Sequence, residues 1–142
     1  MIQFFVPGTP VPKGSAKAFV NKRTGRAQVL QDNREKQRPW ASLVSFQAQQ
    51  VVSAVTVGPV RLTLHFTLPR PKSHFGSGKN TAIVKASAPY LHVSKPDLDK
   101  LVRCVKDALT GVVYHDDSQV CSLVTGKVYG DRTGVLVKVE AL

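Results

Sequence analysis

The segment from position 95 to position 120 combines the strongest helix pattern of this chain with most of its acidic side chains. Asp97 is well placed as an N-cap and Gly111 as a C-terminal stop, so these positions predict a helix over residues 97–110. Its apolar stripe follows helical spacing without a mismatch and consists of Leu98, Leu101, Val102, Val105, Ala108 and Leu109. Five of the nine acidic residues fall within or just after this helix, at Asp97, Asp99, Asp107, Asp116 and Asp117. The fold must therefore place several carboxylates around one amphipathic helix.

The remaining apolar patterns predict a mixed sheet and a second helix. Alternation over residues 60–68 predicts a strand with one buried face, and residues 2–6, 120–129 and 135–140 are further predicted strands. The last two strands are expected to form a hairpin through residues 130–134. A helix is expected from Asp32 or Asn33 to about residue 55, with an apolar face of Trp40, Leu43, Val44, Phe46, Gln47, Val51 and Ala54. These elements predict one α+β domain over residues 1–142, in which a mixed sheet of about four to five strands packs with two main helices.

Two segments without regular patterns are rich in cations. Residues 13–26 predict a basic loop or hairpin, and residues 69–94 predict a long, mobile basic loop that leads into the acidic segment. A solvated loop and an arm that contacts phosphates are both open interpretations of the first segment. We expect phosphate contacts from Lys13, Lys17, Lys22, Arg23, Arg70, Lys72, Lys79 and Lys100.

The net charge of +11, from 20 Lys and Arg against 9 Asp and Glu, favours nucleic acid as the partner. A structural protein that is merely cationic is the alternative at this point. A cationic surface repels metal ions except where carboxylates are concentrated, so a basic body with one acidic pocket is typical of a metal-dependent nuclease. No apolar run approaches the roughly 18 residues of a membrane span, and the first residues do not form a signal peptide. We therefore expect no membrane partner, a cytoplasmic location, and Cys104 and Cys121 as small core residues.

The acidic segment supplies ligands and a cation for phosphodiester chemistry. Asp99 and Arg103 are four residues apart and share a helix face, and Asp97 can point to the same region. The sheet could bring Asp116 and Asp117 back beside the start of the helix. Clustered carboxylates repel one another, and a hard divalent cation such as Mg²⁺, with Mn²⁺ as a substitute, would relieve that repulsion. Arg103 would stabilise the charge of a pentacoordinate transition state, whereas Asp107 is expected to pair with a lysine or arginine.

Several motifs carry a resemblance to a known family. The densest are Lys-Pro-Asp-Leu-Asp-Lys-Leu at 95–101, Asp-Ala-Leu-Thr-Gly at 107–111 and Asp-Asp-Ser-Gln-Val at 116–120. With the Pro-rich run at 8–14 and Arg-Pro-Lys-Ser-His at 70–74, they resemble the RusA family of Holliday-junction resolvases, which are often encoded by phages or prophages. The resemblance implies a Mg²⁺-dependent homodimer that binds four-way DNA junctions and nicks two strands of like polarity symmetrically.

The resemblance also implies roles for individual residues. Asp97, Asp99 and Asp117 would be catalytic and bind the metal, with Asp116 as a helper. The chain departs from the family pattern at Lys100, where the family often has asparagine, and at Arg103, where it often has a catalytic lysine. Arginine keeps the charge and binds phosphate in a fork, but it cannot donate a proton near neutral pH. Arg103 is therefore expected to stabilise phosphate rather than to act as a general acid.

Other functions stay open on the residues alone. A metal nuclease that cuts flaps or replication forks is not separated from a junction resolvase, because branch shape is recognised by dimer geometry and basic surface. A phage protein that binds branched DNA with no catalysis, or only weak catalysis, is the alternative from another class. The presence of Arg103 favours that alternative, and the intact aspartates oppose it.

Overall fold

The computed structural model describes residues 1–14, 16–31 and 33–142, and the side chains of residues 16, 17 and 29–31 lie outside that description. The strands are β1 (Ile2–Pro7), β2 (Ala16–Val20), β3 (Ala27–Gln31), β4 (Val60–Leu68), β5 (Val120–Tyr129) and β6 (Gly134–Ala141). The α-helices are α1 (Arg34–Val51) and α2 (Leu98–Leu109). Short 3₁₀ turns lie at Lys72–His74, Gly78–Asn80 and Asp117–Gln119.

The main sheet has the strand order β1-β6-β4-β5 in the described chain. β6 is antiparallel to both β1 and β4, whereas β5 runs parallel to β4, with α2 in the connection between them. β2 and β3 form a separate antiparallel hairpin. The mixed sheet with two helices confirms the predicted α+β class, and β2–β3 confirms the hairpin interpretation of the basic N-terminal segment.

The predicted hairpin between β5 and β6 is wrong, because β4 lies between them. Residues 130–134 instead pass over the end of β4, where the Gly130 amide donates to the Leu68 carbonyl at 3.0 Å. Strands lie roughly 5 Å apart, so stepping over one strand spans roughly 10 Å, which a short connection covers. Turn residues mark where a chain reverses, but they do not say whether the next strand lies beside the last one.

The core fills the space between one face of the sheet and the two helices. Alternate residues of β4 are buried as predicted, at Val60, Leu62, Leu64, Phe66 and Leu68. α2 buries Leu101, Val102, Cys104, Val105 and Leu109, and α1 buries Trp40, Val44 and Ala48. Full burial of one large apolar side chain contributes about 1.5–3 kcal/mol, so this shared core fixes the position of α2 on the sheet.

α1 is shorter and buries a narrower stripe than predicted. It ends at Val51 rather than near residue 55, so Ala54 lies beyond it and is exposed. Phe46 and Val51 are 56% and 47% exposed, which corrects their assignment to the apolar face. Asn33 occupies the N-cap position without a side-chain cap bond, and Asp32, the other predicted cap, is outside the described residues.

The structure agrees with the sequence on one of the two cysteines and on the long connection before α2. Cys104 is buried as expected, and burial, with Asp107 as a smaller cause, raises its pKa to about 11. Cys121 is exposed rather than part of the core.

Residues 69–94 contain no strand or α-helix within the described chain, which fits the predicted loop. None of the described helices is both long enough and apolar enough to cross a membrane.

Gly134→Ala should destabilise the fold. Gly134 has φ +152°, and an added Cβ would overlap the Val6 carbonyl oxygen, so β1 would have to move. We expect a loss of about 2–4 kcal/mol in the free energy of unfolding, measured by urea denaturation. Gly126→Ala is the control, because a Cβ at Gly126 meets no atom within 4 Å. Equal stability of the two variants would contradict the close approach of β1 and β6 at Gly134.

Candidate active site

Asp97 stands at the N-cap position of α2 without using its carboxylate there. Its backbone is extended, with φ −68° and ψ 138°, and its side chain makes no cap hydrogen bond. The carboxylate faces the Lys100 amino group instead, with 3.6 Å between Oδ2 and Nζ, and 53% of the Asp97 side chain is exposed. Asp97 is therefore more than a helix cap, and its carboxylate is available for a ligand at the start of α2.

A lysine of β5 fixes the segment that leads into α2. The Lys127 amino group donates to the carbonyl oxygens of Ser94 and Pro96, at 2.7 and 2.8 Å. The first turn of α2 is held as well, because the Lys13 backbone amide donates to the Lys100 carbonyl at 3.0 Å. These bonds position Asp97. The sequence gives no signal for this role of Lys127, because a lysine on a strand does not reveal which loop it will reach.

Asp99 and Arg103 lie on the solvent-facing side of α2. Both are exposed, whereas Leu101 and Val105 are buried on the opposite side of the helix. Residues four apart on a helix are neighbours, so the carboxylate and the guanidinium share one face. In the part of the chain that the structure describes, neither of them forms a salt bridge. Both side chains are thus accessible from solvent.

Asp116 and Asp117 lie in a well-bonded turn before β5. The Asp116 carboxylate accepts from the Ser118 amide at 2.8 Å, and this bond, followed by the Ser118 hydroxyl, lowers the pKa of Asp116. The Gln119 side chain closes the turn by bonding to the backbone of His115, Asp116, Thr56 and Gly58. Asp116 is committed to its own turn, which leaves Asp117 as the stronger ligand candidate of the pair.

The chain just before this turn contacts the second half of α2. The Tyr114 hydroxyl donates to the Lys106 carbonyl at 2.9 Å. Burial raises the pKa of Tyr114, and the nearby Asp117 carboxylate adds to that shift. β5 then runs back along the helix until Lys127 reaches the segment before Asp97. Across the residues that are described, no three His, Cys, Asp or Glu side chains form a group that could hold one metal ion.

The two aspartates at the start of α2 fit a hard cation by their chemistry. Mg²⁺ prefers oxygen ligands and is commonly bound through one or two carboxylates together with water and substrate phosphate. Asp97 and Asp99 offer two exposed carboxylates, and the first is not consumed by the helix cap. Oxygen donors of this kind fit Mg²⁺, which Asp97 and Asp99 would hold.

Lys13, a predicted phosphate contact, has its amino group already paired within the chain. Its amino group forms a salt bridge with the Asp107 carboxylate. This confirms that Asp107 pairs with a cation rather than standing free as a ligand. The bond joins the N-terminal segment to the end of α2. The side chain of Lys17, another predicted contact, lies outside the described residues.

The other predicted phosphate contacts lie on three surfaces. Lys22 and Arg23 are exposed in the turn between β2 and β3. Lys72 and Lys79 are exposed in the 3₁₀ turns of the long connection. A cleft beside Asp97 is lined by Arg70 and Lys100. The acidic start of α2 therefore has cationic side chains next to it.

Comparisons with known proteins agree with the resemblance of the motifs. The family model described as Endodeoxyribonuclease RusA matches residues 7–140, which include all the candidate carboxylates. The chain is also similar to a Bacillus subtilis (strain 168) protein described as "Uncharacterized protein YqaN". The two are 33% identical over 141 residues, which cover 98% of this chain and 95% of that protein. The chain belongs to the RusA family of endodeoxyribonucleases.

Proposed function

We propose that this protein is a Mg²⁺-dependent, structure-specific endodeoxyribonuclease that resolves four-way DNA junctions by paired symmetric nicks in recombination and repair. Membership of the RusA family supports the reaction class, and the net charge of +11 supports a DNA substrate. One observation carries the proposal: Asp97 and Asp99 are exposed at the start of α2, and Asp97 is free of the cap bond that its position would allow. The proposed location is the cytoplasm of a bacterial or phage-infected cell, where such DNA occurs.

Asp97 and Asp99 are the proposed first metal ligands, and Asp117 and Asp116 are the further candidates. Bound Mg²⁺, or Mn²⁺ in its place, would polarise the phosphodiester and lower the pKa of a bound water. The chain itself holds the carboxylates in place. The bonds of Lys127 fix the approach to Asp97, and the first turn of α2 fixes Asp99.

Arg103 is proposed to bind the scissile phosphate directly. It is exposed one helical turn beyond Asp99, on the same side of α2. Its guanidinium stays charged at neutral pH and can donate two parallel hydrogen bonds to phosphate oxygens. It would stabilise the added negative charge of the transition state, whereas the proton for the leaving oxygen would come from water.

We propose a homodimer because two like sites related by a twofold axis suit two symmetric nicks. β5 is the end strand of the main sheet, and apart from a single bridge between Leu91 and Val128 its outer edge has no partner in the described chain. Leu123, Val124 and Val128 are 45%, 48% and 50% exposed on this strand. A strand edge with exposed apolar side chains favours association.

Asp99→Asn should abolish junction cleavage while junction binding is kept. The change removes a proposed metal ligand and also a negative charge that repels DNA. We expect the cleavage rate to fall at least about 100-fold, because loss of outer-shell metal contacts alone costs about 10–100-fold. Single-turnover cleavage and a gel-shift assay measure the two effects, with Asp131→Asn on the connection between β5 and β6 as control. Cleavage at the unchanged rate would refute the assignment of Asp99.

Junction binding by the unsubstituted protein without nicks in Mg²⁺ would favour the alternative of a non-catalytic branched-DNA-binding protein.

Arg103→Lys should retain cleavage within about tenfold, because lysine keeps the charge and loses only the forked geometry. Arg103→Ala should lose about 100-fold or more, because it removes the charge at the phosphate. Arg38→Ala, which removes an exposed arginine from α1, is the matched control for net charge. Cleavage rates at saturating protein separate the effect on catalysis from weaker binding. A large loss in Arg103→Lys would show that the forked geometry of arginine matters, and an unaffected Arg103→Ala would remove Arg103 from the site.

Leu123→Asp should convert a dimer into a monomer, because it places a charge on the exposed apolar surface of β5. Sedimentation velocity over a range of protein concentrations measures the change. Val57→Asp is the control, since Val57 is 81% exposed outside β5. A Leu123→Asp protein that stays dimeric would exclude β5 as the interface. A monomeric unsubstituted protein, even with a junction bound, would exclude the homodimer itself.

A further inference from the structure

A cleft of about 710 Å³ adjoins the proposed metal site. It lies between the N-terminal proline segment, the ends of β4 and β5, and the segment before α2, and Asp97 forms part of its wall. Small-molecule sites are commonly about 300–1,000 Å³. A cleft of this size admits one nucleotide with its water but is too small for a base-paired duplex. Its contents would lie next to the phosphodiester that Asp97 and Asp99 are proposed to engage.

One wall of the cleft is a stack of planar side chains. The Arg70 guanidinium lies 4.4 Å from the centre of the Tyr129 ring, and the His92 ring lies 4.5 Å from it at a tilt of 35°. Arg70 is held in place because it also donates to the Pro89 carbonyl at 2.6 Å. Aromatic rings and guanidinium planes are the groups on which proteins stack unpaired bases. This wall is assembled before any ligand arrives.

The rest of the lining combines rigid apolar faces with a cationic rim. The apolar faces come from prolines on several segments, among them Pro10, Pro69 and Pro96. Lys36, Lys95 and Lys100 also line the cleft, the first two as exposed side chains, against Asp97 as the one carboxylate among the described lining residues. A flat apolar interior inside a ring of net positive charge suits a ligand with a planar base and an anionic phosphate. A metal ion or a purely apolar ligand would not use both features.

His92 adds a polar atom without a partner inside this apolar lining. The residue is only 8% exposed, and Nδ1 is shielded from solvent and has no hydrogen-bond partner. Burial lowers the pKa of His92, and Lys127 and His74 add to the effect. The carbonyl groups of His92 and Ser94 oppose the shift in part, but neither completes a bond with Nδ1. His92 therefore contributes the face of its ring to the wall, whereas its buried Nδ1 is not exposed to the cleft.

We propose that this cleft binds one unstacked nucleotide of the DNA, with its base against the Arg70–Tyr129–His92 wall and its phosphate at the lysine rim. The inference rests on the proposed function, because it assumes that DNA reaches Asp97. It assigns Tyr129, His92 and Lys36 to DNA binding, in addition to the contacts predicted from sequence. Four-way junctions supply such a nucleotide, since base stacking is weakest at the branch point.

Fluorescence of 2-aminopurine, placed one position at a time around the branch point of a four-way junction, tests the proposal in EDTA. The unsubstituted protein should change the emission at specific positions as that base leaves the stack. Tyr129→Leu should remove this change and weaken junction binding about 5–150-fold, the range measured for loss of one base–aromatic stack. Tyr129→Phe should keep both, as should Tyr90→Leu, which removes a tyrosine that is 86% exposed and does not line the cleft.

Thermal unfolding of each variant separates a lost contact from a lost fold. If Tyr129→Leu does not fold, Arg70→Leu removes the outer member of the stack from a half-buried position and should have the same effect. Junction binding by the unsubstituted protein without a position-specific change in emission would overturn the cleft as a nucleotide site. A change that survives in Tyr129→Leu would do the same.

A second titration distinguishes failure of this inference from failure of the proposed function. A short single-stranded oligonucleotide that carries 2-aminopurine should give an emission change that depends on Tyr129 whether or not junctions are cut. That response without junction cleavage would keep the nucleotide site and contradict the resolvase. Junction cleavage without any response from either probe would keep the resolvase and contradict the nucleotide site.

Discussion

Burial of one face of β4 is the interaction on which the rest of the structure depends. Val60, Leu62, Leu64 and Phe66 are each 0% exposed, and they belong to one apolar core with the buried residues of the two helices. Because β4 is central, it pairs with β5 on one side and β6 on the other. The parallel pairing with β5 requires a crossover, and α2 lies in that crossover. The position of the acidic helix therefore follows from the parallel pairing of β4 with β5.

This topology brings the functional groups to one edge of the sheet. Parallel strands end on the same side, so Leu68 and Tyr129, the last residues of β4 and β5, are neighbours. Arg70 follows β4, and Lys127 ties β5 to the start of α2, so Asp97 stands at the same edge. Ligands commonly bind beyond the carboxyl ends of parallel strands. Asp97, a proposed metal ligand, and the proposed nucleotide cleft share this edge because a single pair of strands places them there.

The distribution of charge favours a divalent cation at this edge and DNA over the rest of the surface. The chain carries +11 overall, which attracts DNA and opposes metal ions, and the exposed Asp97 and Asp99 reverse that preference at one point. Lys100, 3.6 Å from the Asp97 carboxylate, balances part of that charge when no phosphate is near. A DNA phosphate and a divalent cation would each reduce the repulsion that the other meets, which favours their binding together.

Local patterns predicted the elements well and their arrangement less well. The α2 stripe and the alternation of β4 each depend on burial of one face, which sequence periodicity reports directly. Whether β6 follows β5 as a neighbour depends on competition for β4, and residues 130–134 carry no sign of that competition. Phe46 was assigned to the core by helical spacing alone, yet the described protomer leaves it exposed. The sequence located Asp97 and Asp99 correctly at the start of a helix, but the bonds of Lys127 that fix the approach to that helix follow from the direction of β5.

Mapping nicks on a labelled four-way junction, beside a linear duplex of the same sequence, tests the central claim most directly. The assay compares Mg²⁺ with EDTA and maps all four strands at nucleotide resolution. A junction nuclease predicts paired nicks at symmetric positions in two strands of like polarity, only with the metal and only on the junction. Equal cutting of the linear duplex, or nicks that persist in EDTA, would contradict a metal-dependent resolvase built around Asp97 and Asp99.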